Sequence, residues 1–375
     1  MKKILYLASF DIGKRTGGGL ASLCYYNALC AIRPGKVDLM MNEECCIGQY
    51  NKAIKIPPRH GLEYLTDFSI HRGRRFVISY IKSHSSEYDI CFINCSRYGG
   101  DMMEEIKKAG LKIVMIHHNY EVEFCMDNKY IITLYGRFSK IVKYYERKAY
   151  KKADVNCFLT ATDQKLITSA YGTSSAPNIL LGVFDPVPYK YERKATTETN
   201  TMIISGSMND YQTYHSLELF ERDYYNIIKL NYPQLKIIIT GRNPHESIYA
   251  FQKRNSDNIR VVANPEDIEE VVGIGEIFLC PTCIGGGLKL RVMDGLKMGI
   301  PVLVHRISAR GYEAFKGKPY FQVYDSKGSF EKGLSAILSF LKQKTNYKCE
   351  IINTYEKVFG FNAGVERMRS VLNSI

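Results

Sequence analysis

Pro281-Thr282-Cys283-Ile284-Gly285-Gly286-Gly287-Leu288-Lys289-Leu290-Arg291-Val292-Met293-Asp294-Gly295-Leu296-Lys297-Met298-Gly299-Ile300-Pro301-Val302 is the stretch on which the reading turns. An apolar run, Ile277–Cys280, leads into it. The spacing predicts a strand, a three-glycine turn, a helix from about residue 290 to 298 and another strand at 301–304. Glycines let a backbone approach a ligand closely. Amides at a helix N-terminus, with the helix dipole behind them, favour an anion. Lys289 and Arg291 add two fixed positive charges, and Asp294 follows about one helical turn further on, where a carboxylate can accept bonds from sugar hydroxyls. A diphosphate suits this arrangement.

Outward from that stretch the same alternation repeats. Strands are expected at 3–8, 90–94, 113–117 and 153–159, with helical stretches at 20–32 and 131–152. A polar, proline-containing segment at 184–200 reads as a linker. The alternation then restarts, with strands at 202–205, 236–240, 259–262 and 277–280 and a helix at 216–230. The apolar runs are continuous rather than alternating, so both faces of each sheet are covered by helices, as in parallel sheets. The expected fold class is α/β, with two Rossmann-like domains facing a central cleft: residues 1–187, residues 188–345, and a helical tail at 346–375 packing back toward the first domain. Ligands of such sheets bind outside the carboxyl ends of the strands.

Composition bounds the chemistry. The 375 residues suffice for two ordinary domains, and 45% hydrophobic with 24% charged residues is normal for a globular chain. The opening run Ile4–Ala8 is too short for a signal peptide and reads as a buried strand, and no apolar run is long enough to span a membrane. Eleven cysteines, without a secretion signal, read as reduced thiols of a cytoplasmic protein. Cys280 and Cys283 form a lone pair at C-x-x-C spacing with no matching second pair, so no metal site is expected. The net charge is +13, and residues 1–190 hold 27 Lys and Arg against 18 Asp and Glu. A basic half attracts an anionic partner. His71–Lys82 sets cations before an apolar stretch, which suits either an anionic membrane surface or a helix packed on the sheet. The cations are dispersed and no nucleic-acid-binding motif is present, so nucleic acid is not an expected partner.

The 281–302 segment resembles the donor-binding motif of GT-B glycosyltransferases, especially the retaining glycosyltransferase family 4 (group 1). Relatives of similar loop carry P-x-x-x-G-G-G-x-K-x-[KR]-x-x-[ED]-x-[LM]-x-x-G-x-P-V. Pro281, Gly285, Gly286, Gly287, Lys289, Arg291, Asp294, Leu296, Gly299, Pro301 and Val302 match it. The resemblance implies that the loop backbone through Leu288, with Lys289 and Arg291, holds the diphosphate of a nucleotide-sugar donor, and that Asp294 holds the ribose. There are two departures. The family's acidic pair stands eight residues apart, and here the first of the pair is Gly286 and the second is Asp rather than Glu. The carboxylate missing at Gly286 normally touches the donor sugar, which leaves sugar identity and retention open.

The resemblance extends along the chain. Ser207, Arg242 and Asn264 match donor-facing strand ends, and Gly17, Gly18 and Gly19 match a glycine loop that lies against the donor phosphates. His118 matches a histidine that faces the cleft and can act on a sugar hydroxyl or as an acid/base. Asn119 and Glu121 would contact sugar or acceptor. By this resemblance the chain is a hexosyltransferase, UDP-sugar as donor and a glycan or lipid-linked glycan as acceptor, working without cofactor or metal in polysaccharide or glycolipid assembly at the cytoplasmic face of a membrane. The alternatives left open are a nucleotide-sugar epimerase of the same fold and an inactive donor-binding partner subunit.

Overall fold

The computed structural model describes residues 2–8, 12, 16–41, 51–58, 72–127, 139–189, 198–343 and 346–375. The chain divides into two compact units, Met1–Pro188 with Gly360–Ile375, and Tyr189–Phe359.

The first unit is built on a seven-stranded parallel sheet. Its strands are β1 (Lys3–Ala8), β2 (Val37–Met41), β3 (Lys52–Lys55), β4 (Tyr88–Asn94), β5 (Lys112–His117), β6 (Val155–Phe158) and β7 (Asn178–Leu180), in the order β3-β2-β1-β4-β5-β6-β7. The order reverses direction between β1 and β4, and the crevice at such a reversal is where doubly wound sheets take ligands. β1 is continuous and apolar and is buried from Ile4 to Ala8. β2 escapes a reading by hydrophobicity because Asp38 interrupts it. That carboxylate is fully buried and accepts from Tyr88 Oη at 2.8 Å, Asn51 Nδ2 at 2.6 Å and Lys3 Nζ at 3.2 Å, so its charge is met inside the sheet.

Helix Gly17–Ile32 follows β1. It begins at the glycines themselves rather than at Leu20, because the Thr16 hydroxyl accepts from the Gly19 N–H at 3.1 Å and caps the first turn. Helix Arg72–His84 buries Val77 and Ile81 in the core beneath β2 and β3, while Arg75 and Lys82 stay exposed. Its apolar side is therefore used inside the unit. Arg74 pairs with Asp101 at 2.5 Å. His71, like residues 131–138 of the helix expected at 131–152, lies outside the described residues; the described part of that helix is Ser139–Lys152. Of the segment expected as a tail, Tyr347–Phe359 belongs to the second unit. Helix Phe361–Asn373 packs on helix Gly17–Ile32 in the first. There Arg367 Nε donates to the Leu181 carbonyl at 2.7 Å, and Gly364 lies flat against the Phe184 ring.

The second unit has six parallel strands: β8 (Thr201–Ser207), β9 (Lys236–Arg242), β10 (Ile259–Ala263), β11 (Ile277–Cys280), β12 (Val302–His305) and β13 (Phe321–Tyr324), in the order β10-β9-β8-β11-β12-β13. Successive residues face opposite sides. Met202, Ile204, Ile237, Ile239 and Leu279 enter one core, and Ile203, Ile238, Phe278, Cys280 and Val302 the other. Each fully buried side chain of this size contributes about 1.5–3 kcal/mol over leaving it in water. Here the strand order reverses between β8 and β11, which brings Gly206 and Ser207 beside the loop after Cys280.

Candidate functional site

In the second unit β11 ends in the buried Cys280, and the chain then runs as an irregular loop to Leu290. The helix expected from about residue 290 begins at Arg291, four residues past Gly287, and ends at Lys297. The Gly285–Gly287 amides are thus a separate loop and not the first helical turn. Gly285 and Gly287 adopt φ of +87° and +69°, a backbone that favours glycine. A β-carbon on Gly285 would overlap the side-chain amide of Gln212. The loop is clamped at three points. Tyr312 Oη donates to the Lys289 carbonyl at 2.8 Å, Ser308 Oγ donates to the Thr282 carbonyl at 2.6 Å, and the Cys283 N–H donates to Ser216 Oγ at 3.1 Å.

Lys289 is buried. Its ammonium donates to Gln212 Oε1 at 2.8 Å and to the Gly286 carbonyl at 3.2 Å. Burial first, and the neighbouring Arg291 second, push its pKa down to about 8. Arg291 Nη1 donates to the hydroxyls of Thr213 at 2.9 Å and Thr282 at 3.3 Å, and its guanidinium lies against Gly206. Among the described residues, no carboxylate pairs with either cation. Two positive charges hydrogen-bonded only to neutral acceptors, with Asp210 and Asp294 within electrostatic reach but not paired to them, could hold an anion.

Helix Tyr211–Phe220 starts beside them. Asp210 stands at its N-cap without a side-chain cap bond, so that the first-turn amides meet no cap carboxylate. Asp294 sits in the first turn of the short helix and accepts from Ser205 Oγ at 3.3 Å; burial pushes its carboxyl up to about 7. Leu288 packs its side chain on the core. Ser207 and Arg242 are exposed partners across the ends of β8 and β9. Asn264 is exposed in a left-handed conformation just beyond β10, and its Oδ1 accepts from the Asn243 N–H at 2.8 Å. The unit therefore gathers the glycine loop, Lys289, Arg291, Asp294 and Ser207 about the β8–β11 reversal, with Arg242 and Asn264 along the rim of β9 and β10.

Gln212 and Thr213 were not singled out by sequence. The only signal was their position just after β8 in the strand–helix unit next to the loop.

In the first unit the corresponding reversal holds a buried polar chain. Asn94 Nδ2 donates to Ser22 Oγ, and Asn94 Oδ1 meets His118 Nε2. Burial, then the adjacent His117, push the His118 pKa down to about 3, so the imidazole is neutral near pH 7. His117 is packed rather than presented. It stacks on Phe158 at 5.0 Å and meets Asn156 Oδ1 through Nε2 at 3.0 Å. Asn119 is half-buried, with Nδ2 3.5 Å from Glu121 Oε1. Glu121 is buried, and its backbone N–H donates to Glu146 Oε1 at 2.8 Å. Glu146, raised to about 8 by burial and then by Glu121, also accepts from Tyr171 Oη at 2.7 Å. Cys95, at the end of β4, has φ of +126°, a strained backbone for a residue with a side chain. Gly17, Gly18 and Gly19 form the first turn of the helix after β1 on this side.

Among the described residues, no three His, Cys, Asp or Glu side chains stand close enough together to hold a metal ion. Cys280 is buried and Cys283 half-buried beside Ser216.

No protein-family model matches the sequence, and no curated protein matches it. Solved structures do. Anabaena HepE in complex with UDP is 12% identical with a TM-score of 0.70, over the full length of both chains. The fold is GT-B. Sucrose-phosphate synthase from Thermosynechococcus elongatus is 11% identical with a TM-score of 0.71, over all of this chain and 98% of that one. The lipopolysaccharide outer core galactosyltransferase WaaB, in its apo form, is 12% identical with a TM-score of 0.69, over 99% of each chain. The GT-B fold accounts for both parallel sheets; at these identities it is the fold that is shared. No helix among the described residues is long and apolar enough to cross a membrane.

Proposed function

We propose that this chain is a glycosyltransferase that takes a hexose from a nucleoside diphosphate donor, a UDP-sugar by preference, and passes it to a glycan or lipid-linked glycan acceptor. The observation that carries the reading is the pair of cations, Lys289 and Arg291, held at the strand reversal by neutral oxygens alone. Several structural neighbours suit it: HepE is seen with UDP and with UDP-glucose, WaaB is a galactosyltransferase, and WaaG is a glycosyltransferase involved in lipopolysaccharide biosynthesis.

In this reading the Gly285–Leu288 backbone, Lys289 and Arg291 hold the diphosphate. Asp294 holds the ribose, and Ser207, Arg242 and Asn264 border the nucleotide. His118, Asn119 and Glu121 serve the transferred sugar and acceptor. Transfer breaks the bond between the anomeric carbon and the β-phosphate oxygen, and charge builds on the departing diphosphate. Preorganised cations stabilise that charge, the acceptor oxygen bonds to the anomeric carbon on the face the diphosphate leaves, and the leaving oxygen takes the acceptor's proton, which gives retention without a protein nucleophile. The protein cations take the place of a metal. A neutral His118 contributes a hydrogen bond rather than a proton. Any attachment to the cytoplasmic face of a membrane rests on exposed cations such as Arg75 and Lys82, since the apolar side of their helix is buried.

The test is thermal stabilisation by UDP, GDP, ADP and CMP, followed by a transfer assay with the stabilising donor. A ligand bound only by the native state raises the melting temperature. A shift with one diphosphate that disappears in Lys289→Ala and Arg291→Ala supports the reading, and no shift with any of them overturns it. Gly286, standing where the related motif has a carboxylate, favours a second reading as a donor-binding subunit without activity. Binding with neither donor hydrolysis nor transfer would decide for it.

A further inference from the structure

We infer that Gln212 is a positioning residue of the anion site, fixing the Lys289 ammonium in place while leaving its charge undiminished. The inference rests on the donor reading above. Gln212 is only 9% exposed, and its Oε1 accepts from Lys289 Nζ at 2.8 Å. The amide is itself held. It lies against Gly285, where no side chain could fit, and the Gln212 carbonyl accepts from Ser216 Oγ at 2.5 Å. That same hydroxyl accepts the Cys283 N–H of the glycine loop. The next residue, Thr213, holds Arg291. One turn of one helix therefore sets both cations.

The chemistry explains why an amide stands here. A buried ammonium has three donors and needs acceptors. Among the described residues it meets two, Gln212 and the Gly286 carbonyl, which leaves one donor for a ligand. A carboxylate at 212 would satisfy the ammonium equally well but would cancel the charge a diphosphate requires. An apolar side chain would strand it. The other charged or titratable groups around Lys289 are Arg291, Cys280 on β11, Asp210 ahead of the Tyr211 helix and Arg310 in the loop after β12. Gln212 is the neutral member that touches it.

The experiment uses the full chain and titration calorimetry with UDP, GDP and ADP from pH 7 to 9.5, on the wild type, Gln212→Glu, Gln212→Met and Lys289→Met. Urea denaturation runs in parallel. In the wild type, affinity falls as pH rises through about 8, where Lys289 loses its proton. Gln212→Met moves that break to lower pH and weakens binding at pH 7 by roughly tenfold, the scale of one hydrogen bond to a charged group. Gln212→Glu, close in shape, moves the break to higher pH and also weakens binding at pH 7. A merely structural Gln212 would lower stability and leave the break where it was; an unmoved break in both variants overturns the inference. If Lys289→Met binds as the wild type does, or no diphosphate binds at all, the donor reading fails and takes this inference with it.

Discussion

The guanidinium of Arg291 rests on the backbone of Gly206, where a β-carbon would stand 2.8 Å from Nη1. Gly206 has φ of +148°, so a side chain is unwelcome there on both counts. The absence of a side chain at the end of β8 lets a cation from the β11 side lie across the strand end. Gly206→Ala is expected to displace Arg291 and to weaken diphosphate binding by about tenfold or more, with a backbone penalty of about 1–2 kcal/mol. Calorimetry with UDP checks the first effect and urea denaturation the second.

Lys289 sets stability against function. A buried cation with only neutral partners costs free energy in the empty protein. Lys289→Met is expected to raise the melting temperature while abolishing stabilisation by a diphosphate. The pH dependence has a definite sign. The folded-state pKa, about 8, lies below the ordinary 10.5, so between these values the unfolded chain binds more protons and stability rises with pH. Denaturation at pH 8 and 10 in both proteins should show this increment in the wild type alone. Ligand affinity runs the other way over the same range.

Asp294 has the opposite linkage. Its folded-state pKa, about 7, lies above the ordinary 3.8, so its contribution is full below 3.8 and is lost as pH rises toward 7. Asp294→Asn should flatten that part of the stability profile. Removing the carboxylate should also weaken nucleoside diphosphate binding by about tenfold, the scale of a charged hydrogen bond, while leaving inorganic pyrophosphate unaffected. Equal losses for both ligands would place Asp294 at the phosphates instead.

His118 is expected to stay neutral across the working range. Its pKa of about 3 predicts no imidazole titration between pH 5 and 8 by NMR, and no break in kcat/KM near 6.5 that His118→Gln would remove. A titration near 6.5 would restore it as a candidate general acid.

Gly364 carries the contact between the last helix and the first sheet unit. A β-carbon there would overlap the Phe184 ring. Gly364→Val should destabilise the protein by about 1–3 kcal/mol, the cost of overpacking, as read by urea denaturation.

The strands that carry the fold were legible where apolar residues run unbroken, as in Ile277–Cys280 and in the Ile237–Ile239 centre of Lys236–Arg242. The loop with Lys289 and Arg291 was legible because its spacing is dense over 22 residues. β2 was not, since a buried Asp38 looks like surface until its partners are known. The start of helix Gly17–Ile32 was misplaced by three residues, because glycine is a poor helix former and the Thr16 cap that overrides this depends on geometry. Nor does the sequence bring Gln212 to Lys289, 77 positions away; that contact follows from the neighbouring of β8 and β11 in the sheet. His118 was legible as a polar residue after a strand, but its neutrality was not, because that comes from burial by the surrounding fold.

The first unit takes in Gly360–Ile375 as well as Met1–Pro188. During translation the whole of Tyr189–Phe359 is therefore made before helix Phe361–Asn373 exists to cover helix Gly17–Ile32. The second unit has all its parts first, although it begins later, and the first unit can close only after it. A premature stop near residue 360 would therefore be felt most in the residues synthesised earliest, on the face of helix Gly17–Ile32 that helix Phe361–Asn373 covers.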